Sequence, residues 1–386
     1  LSYFLAGKID ESRLRIRPPD FHREMGAELL AGKKVASVDP GRRQVACDDG
    51  TRLDYDRLLI ATGAAARLPS NIPGGVDGVF VLRSIADAKA ILAGIDGARN
   101  AVVLGGGLVG MKTAFALAHR GLRVTVVVRS AHVLSRMIDA EAARIVEGRL
   151  RENGIEVLTG TDVTSVEKSG TKLAAAKTEN GKTLPCDILI AAKGVEPNKQ
   201  LVAGTGIELR TGIVTNSRLQ TSLENIYAAG DVAETFDIAT EQHDVNALWT
   251  CAVQQGKIAG LNMVGQTREY DGAIGMNSIN FPGADLISFG VVRPAQDAGY
   301  EVLLDNRTQA GIYRKVVLKD NRIKGLILVN RIDSAGVLLS LLGRKIDVGG
   351  FKDELLNERF NYAQVLGHSG RDEWQRYWNA GHAVRS

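Results

Sequence analysis

The sequence predicts an α/β protein with a doubly wound parallel sheet at its centre and a smaller α+β domain at its C-terminal end. Three observations predict it. Between residues 101 and 130 a short apolar run (102–104) meets Gly105, Gly107 and Gly110, then an Ala-rich amphipathic segment, Gly121 and a second β-branched run (124–128). That order is strand, tight turn, helix, turn, strand. Further apolar runs at 155–158 and 187–192 can join the same sheet, and from about Gly272 the composition shifts to short alternating strands.

The glycine turn has a chemistry as well as a shape. Gly105 permits the turn, Gly107 lets a pyrophosphate approach the backbone and Gly110 allows close helix packing. The helix start at Leu108 and Val109 offers N–H groups with no intrahelical acceptor, so a dinucleotide fits here. The 386 residues suffice for two or three domains with buried cores, and 24% charged with 45% hydrophobic residues is the profile of a soluble globular protein. A net charge of +4 without a basic run gives no case for nucleic acid. No apolar run nears the ~20 residues of a membrane span, and the N-terminus has no signal-peptide pattern, so no membrane and a cytoplasmic location are expected. Cys47, Cys186 and Cys251 are far apart and the six histidines scattered, so no metal site is expected.

Before the glycine turn, residues 34–38, 44–47 and 52–54 alternate apolar and polar and are broken by DPGR and DDGT, as in a small antiparallel meander. They lead into YDRLLIATGAAARLP, where a strand over 58–60 ends at Ala61-Thr62-Gly63. Ser84 and Asp87 form a capping box before a helix with Ile85, Ala88, Ile91 and Leu92 on one face. After the turn, Asp139 can cap a helix whose stripe is Ala142, Ile145, Val146 and Leu150 and which ends at Asn153-Gly154. Residues 162–185 read as an antiparallel excursion, and residues 225–229 as a buried strand ending at Gly230-Asp231.

YDRLLIATGA, the glycine fingerprint, AAKGVEPN and TSLENIYAAGDVAE follow one another in an order and spacing that resemble the two-dinucleotide-domain flavoproteins of the pyridine nucleotide-disulfide oxidoreductase superfamily. The chain is most similar to the branch of rubredoxin reductases and the flavin half of NADH-dependent nitrite reductase, which carry an LSYxLAGK stretch like residues 1–8. The resemblance runs to about Leu366 and implies two Rossmann-like domains: an FAD-binding domain over 1–97 and 219–271, an NAD(P)H-binding domain over 98–218, and a C-terminal α+β domain with a tail over 272–386.

The resemblance also implies site residues. Thr62 and Gly63 would lie against FAD, Gly194 of AAKGVEPN would border the cofactor, and Gly230 would give room beside Asp231, which would bond the ribityl chain. Ala252, Gln255 and Gly256 form an AxxQG segment that in relatives opens a helix aimed at the flavin pyrimidine ring, where its N-terminal dipole favours the reduced anion. Trp249 sits just upstream, either near the ring or in the core. At the end of the second strand, where NAD sites place an acid, this chain has Val128, followed by Arg129 and Ser130. Arg129 at that position resembles NADPH-using members, with Arg136 to assist, whereas Gly110 is common in NAD binders; the balance favours NADPH. Lys112 stands where many relatives carry an acid, and either faces solvent or brings positive charge toward the reacting ring.

The first FAD-binding βαβ unit of such proteins would precede Leu1, so the natural chain is expected to be longer. A reactive Cys, where relatives have one, would also lie upstream; Ser2 and the lack of a His-Pro-Thr pattern disfavour disulfide reduction. In the C-terminal third, strands are expected over 286–291, 301–304, 311–318 and 323–329 with a KDNR hairpin turn, then helices over 335–342 and near 352–357. Such domains in relatives cover the flavin or form a homodimer. Trp374, Tyr377 and Trp378 would share one face of a helical tail. The expected function is that of an FAD-dependent oxidoreductase passing hydride from NAD(P)H to flavin and electrons to rubredoxin, ferredoxin or a partner reductase centre. An NAD(P)H oxidase, a thiol-disulfide reductase and a non-catalytic redox-sensing subunit are the alternatives.

Overall fold

The computed structural model describes residues 1–368, so the aromatic tail with Trp374, Tyr377 and Trp378 lies outside the described residues. The chain forms two compact units. One comprises Leu1–Val133 with Leu150–Ala273, the other Leu134–Arg149 with the chain from Ile274 onward.

At the centre of the first unit is a five-stranded parallel sheet. Its spatial order is Val79–Val81, Ile188–Ala191, Asn100–Leu104, Arg123–Val128 and Ile155–Thr159. All four residues of Ile188–Ala191 and four of the five in Asn100–Leu104 are buried, which is why both read as unbroken apolar runs. Val102, Leu104, Val127, Leu189 and Ala191 pack with Val163, Leu173 and Ala176 of the antiparallel excursion Val163–Ser169, Lys172–Thr178 and Thr183–Pro185, and with Cys186 just after it. The edge strand Val79–Val81 carries no alternation and only tertiary pairing to Leu189 to Ala191 reveals it.

The meander forms as expected from Val35–Asp39, Gln44–Cys47 and Arg52–Asp54. The capping box at Ser84 and Asp87 opens the helix Ile85–Gly94, with Ala88 and Ile91 fully buried. Ile85 departs from the expected stripe. It is 39% exposed, because a first-turn residue projects past the surface that the later turns cover.

The strands Leu58–Ile60 and Ile226–Ala228 form a parallel pair in the register Ile60 to Ala228, over a core of Val38, Val45, Val202, Ile213 and Val232. In the second unit, five antiparallel strands run in the order Met276–Phe281, Ala284–Gly290, Arg322–Val329, Ile312–Lys319 and Glu301–Arg307. Asp320 and Asn321 both have positive φ at the KDNR turn, the conformation that lets a two-residue hairpin follow strand twist. The first of these strands was not expected from sequence. The helix near 352–357 is instead a short 3-10 turn, Gly349–Glu354, interrupted at Phe351, whereas Ala335–Gly343 is helical as expected. In this unit Asp139 caps its helix through Ala142 N (3.2 Å) and accepts from Tyr313 Oη (2.6 Å) and Lys315 Nζ (2.8 Å).

Candidate functional site

The fingerprint turn is built almost wholly from backbone. Gly105 has φ +113°, and a Cβ there would stand 2.3 Å from the Ala192 carbonyl oxygen. A Cβ on Gly110 would stand 2.1 Å from the Gly105 carbonyl oxygen, so the helix Leu108–His119 packs directly on the turn. Gly106, which the fingerprint leaves unspecified, is also closed to a side chain, because Val128 methyls lie 2.8 Å and 2.9 Å from its Cβ position. Gly107 is the opposite case. A Cβ there would meet nothing within 4 Å, and no side chain caps the helix it opens. An open backbone approach at an uncapped helix N-terminus is a place for an anion, with the N–H groups of Leu108 and Val109 on its rim.

A second pair of turns leaves the parallel pair side by side. Thr62-Gly63 follows Ile60, and Gly230-Asp231 follows Ala228, with Ala229 N donating to Ile60 O (3.1 Å). Three side chains hold them. Arg83 pairs with Asp231 at 2.6 Å, and its guanidinium lies 3.8 Å from the Cβ position of Gly63, so one cation serves both turns. Gln255, 1% exposed, accepts from Gly230 N (2.8 Å) through its amide oxygen. Asn198 donates to Thr62 O (2.9 Å), while Thr62 Oγ1 donates to Asn198 O (2.8 Å). Arg83 and Asn198 escaped sequence reasoning as site residues; the signal was present in LRS before the capping box and in the last residue of AAKGVEPN.

The helix carrying Ala252 begins at Trp249, three residues before the AxxQG segment, and has no side-chain cap. Ala252 Cβ lies 3.5 Å from the Cβ position of Gly230, which seats the helix start beside the Gly230-Asp231 turn. Trp249 is 65% exposed, so the core reading for it is wrong: a first-turn position on this helix faces outward. Gly194 has φ +89° and accepts from Arg67 N (3.0 Å), at the head of an antiparallel ribbon in which Val195–Pro197 pairs with Ala64–Ala66.

Val128 is buried against Gly106, and Arg129 and Ser130 are exposed immediately after it. Arg136 is exposed in the other unit. Lys112 takes neither expected course in simple form: it is half-buried, with its ammonium 5.9 Å from the centroid of the Tyr3 ring. Cys47, Cys186 and Cys251 are buried and form no disulfide, and burial pushes the Cys186 thiol up to about 12, which keeps it un-ionised. Among the described residues no His, Cys, Asp and Glu cluster could hold a metal, and no helix is long and apolar enough to cross a membrane.

Comparison with known families bears on this geometry. Residues 6–256 match the family model described as pyridine nucleotide-disulphide oxidoreductase. The chain belongs to that family. Residues 276–346 of this oxidoreductase also match the rubredoxin NAD+ reductase C-terminal domain. The protein is 33% identical, over 90% of its length, to the epsilon subunit of NADH-dependent phenylglyoxylate dehydrogenase from Aromatoleum evansii. It spans 82% of that relative but only 45% and 56% of two longer ones. Two solved structures resemble it throughout. The covalent putidaredoxin reductase-putidaredoxin complex has a TM-score of 0.85, 26% identity and coverage of 95% of this chain and 87% of that one. An engineered water-forming NADPH oxidase bound to NADPH has a TM-score of 0.84, 25% identity and coverage of 97% and 90%. FAD and a nicotinamide dinucleotide are the cofactors of this family. The residues present fit such groups: the open backbone at Gly107 suits a pyrophosphate, and the Asp231 carboxylate suits hydroxyl donors.

Proposed function

We propose that the protein is an FAD-dependent oxidoreductase that draws hydride from NADPH and passes electrons to a small redox protein such as a rubredoxin or ferredoxin, or to a partner reductase centre. The observation that carries this is the ribbon between the two turns: Val195–Pro197, leaving the fingerprint sheet, pairs with Ala64–Ala66, leaving the flavin-side turn. One chain segment thereby fixes the spacing of two dinucleotide sites, as donor-to-flavin transfer requires. On this reading residues 98–218 bind the nicotinamide nucleotide, 1–97 with 219–271 bind FAD, and 272–386 form the C-terminal domain.

When bound, the cofactor pair supplies a hydride donor and an acceptor that can release electrons singly. The protein supplies position and field. Gly105, Gly107, Leu108, Val109 and Gly110 receive the nicotinamide dinucleotide, with Gly194 beside them. Thr62, Gly63, Gly230 and Asp231 receive the flavin, and the uncapped helix at Trp249 and Ala252 directs its positive end toward it.

Arg129 and Ser130 receive the 2′-phosphate. The engineered NADPH oxidase replaces an Asp-Ala-Met run by Ala-Arg-Ser, and a glycine eighteen positions earlier by alanine; here Val128-Arg129-Ser130 stands eighteen positions after Gly110. The run matches in type and spacing, and a carboxylate that would repel the phosphate is absent from it. The chain keeps glycine at Gly110, where its helix touches the turn. The absence of thiol clusters fits a cytoplasmic protein.

Anaerobic titration of the purified protein, with NADH and NADPH separately, tests the function. Bleaching of flavin absorbance by substoichiometric NADPH is expected; a protein that neither nucleotide bleaches would defeat the proposal. Arg129→Ala should lower the NADPH over NADH preference in kcat/KM on the order of tenfold or more. An unchanged ratio removes the 2′-phosphate assignment.

A further inference from the structure

The order of the parallel sheet puts a topological switch point between Asn100–Leu104 and Ile188–Ala191, because the chain runs outward to Arg123–Val128 on one side and to Ile188–Ala191 on the other. A ligand of such a sheet lies in the crevice outside these carboxyl ends. Lys193 stands two residues beyond Ala191, and its backbone nitrogen lies 3.6 Å from the Cβ position of Gly105. Its ammonium reaches both oxygens of Asp162, at 2.7 Å each, with side chains 21% and 18% exposed.

As a staple this pair is weak. Two largely desolvated charges repay their lost hydration only when their remaining hydrogen-bonding capacity is used, and here the carboxylate accepts one further bond, from Val163 N (2.9 Å). An ammonium carries three donors, of which Asp162 takes two. The segment that presents Asp162 is itself tied to the second-strand turn, through Gly160 N to Ser130 O (3.1 Å) and Thr161 N to Val128 O (3.3 Å). The fully buried Thr161 hydroxyl beside it has no partner in the protein. Meanwhile a helix N-terminus offers the equivalent of about half a positive charge, against the two negative charges of a pyrophosphate. The fingerprint alone therefore leaves anionic charge unmatched at the place where Lys193 is held.

We propose that Lys193 is a pyrophosphate-binding residue of the dinucleotide site, its ammonium bridging Asp162 and the bound pyrophosphate, and that Asp162 parks the cation over the crevice before binding. The inference rests on the dinucleotide reading of the glycine turn. Calorimetric titration of the full chain with ADP-ribose, which carries the pyrophosphate, and with 2′-AMP, which does not, tests it. Lys193→Met should weaken ADP-ribose on the order of tenfold, flatten the dependence of its affinity on salt, and leave 2′-AMP within about twofold. Lys193→Arg should keep ADP-ribose binding. Asp162→Asn loosens the cation without removing it, so it should weaken ADP-ribose by clearly less than Lys193→Met does. Equal ADP-ribose affinity in Lys193→Met and wild type, or an equal loss in Asp162→Asn, overturns the inference, the latter by showing that the pair acts only through local structure. A wild-type protein that binds neither probe defeats the dinucleotide reading itself. One that binds ADP-ribose but not 2′-AMP removes only the NADPH assignment, and the ADP-ribose ratio still decides the role of Lys193.

Discussion

The two glycine turn regions, at residues 105–110 and at Thr62-Gly63 with Gly230-Asp231, are made in different ways. The fingerprint turn is a steric object: Gly105 and Gly110 are forced by carbonyl oxygens 2.3 Å and 2.1 Å from where a Cβ would stand, and Gly106 by the Val128 methyls. The Thr62-Gly63 and Gly230-Asp231 turns follow a pair of three-residue strands and are held by side chains, through Arg83, Gln255 and Asn198. A turn held by sterics tolerates no added Cβ at Gly105, Gly106 or Gly110, while Gly107 stays open. A turn held by polar side chains depends on residues far away in sequence and should weaken by degrees.

The largest effect expected from this contrast is at Gly105. Gly105→Ala adds a Cβ against a backbone carbonyl in a left-handed conformation, and should cost about 3 kcal/mol and abolish measurable nicotinamide-nucleotide binding. Equilibrium dialysis with NADPH checks it, and near-native binding would remove the steric account. Next in size is Arg83→Met, which leaves Asp231 without its charged partner and takes the guanidinium away from Gly63. Flavin affinity should fall roughly tenfold, read from flavin absorbance retained after gel filtration, with nicotinamide-nucleotide binding unaltered. Equal loss at both sites would show that the two turns are not separately built. Gln255→Leu should cost about 1–2 kcal/mol in chemical denaturation by stranding Gly230 N, again with the fingerprint turn intact.

The second unit extends the same logic to pH. Burial works against ionising Asp139, but hydrogen bonds from Lys315, Tyr313 and Ala142 N outweigh it and hold its carboxyl below the usual carboxylate value. A folded-state pKa below the unfolded one gives stability that is complete above about pH 4 and lost as pH falls through the lower, folded value. Asp139→Asn should therefore lower stability at pH 7 by about 1–2 kcal/mol and flatten the acid limb of urea stability below about pH 4. A parallel pH dependence in variant and wild type would argue that the cluster carries no linkage. The smallest effect is expected at Lys112. Its cation and the Tyr3 ring are both accessible, and Lys112→Gln should change the melting temperature by no more than ~1 kcal/mol of stability would.

How much was legible in the chain follows from where each constraint acts. The βαβ unit could be read because all its requirements are local: apolar runs buried on both faces, glycines at fixed spacing, and a helix between them. The same holds for the capping box at Ser84 and Asp87 and for the hairpin at Asp320-Asn321, whose partners lie within a few residues. The strand Val79–Val81 could not be read, since three half-buried residues become a strand only when Ile188–Ala191 lies beside them. Ile85 was misplaced, and the core alternative for Trp249 fails, for a related reason: periodicity says which residues share a face but not where the covering surface ends.

The sequence by itself determined that a glycine turn joins a buried strand to a helix, which strands flank it, and that Val128, Arg129 and Ser130 close the second of those strands. Only the tertiary structure decided that Arg83 pairs with Asp231, that Asn198 locks Thr62, that Gly106 is closed by Val128 and that Lys193 pairs with Asp162. Each of these joins residues distant in the chain, up to 148 positions apart for Arg83 and Asp231. A hydrogen bond or a steric limit of that range leaves no periodic trace, because it depends on the direction in which two separate strands end.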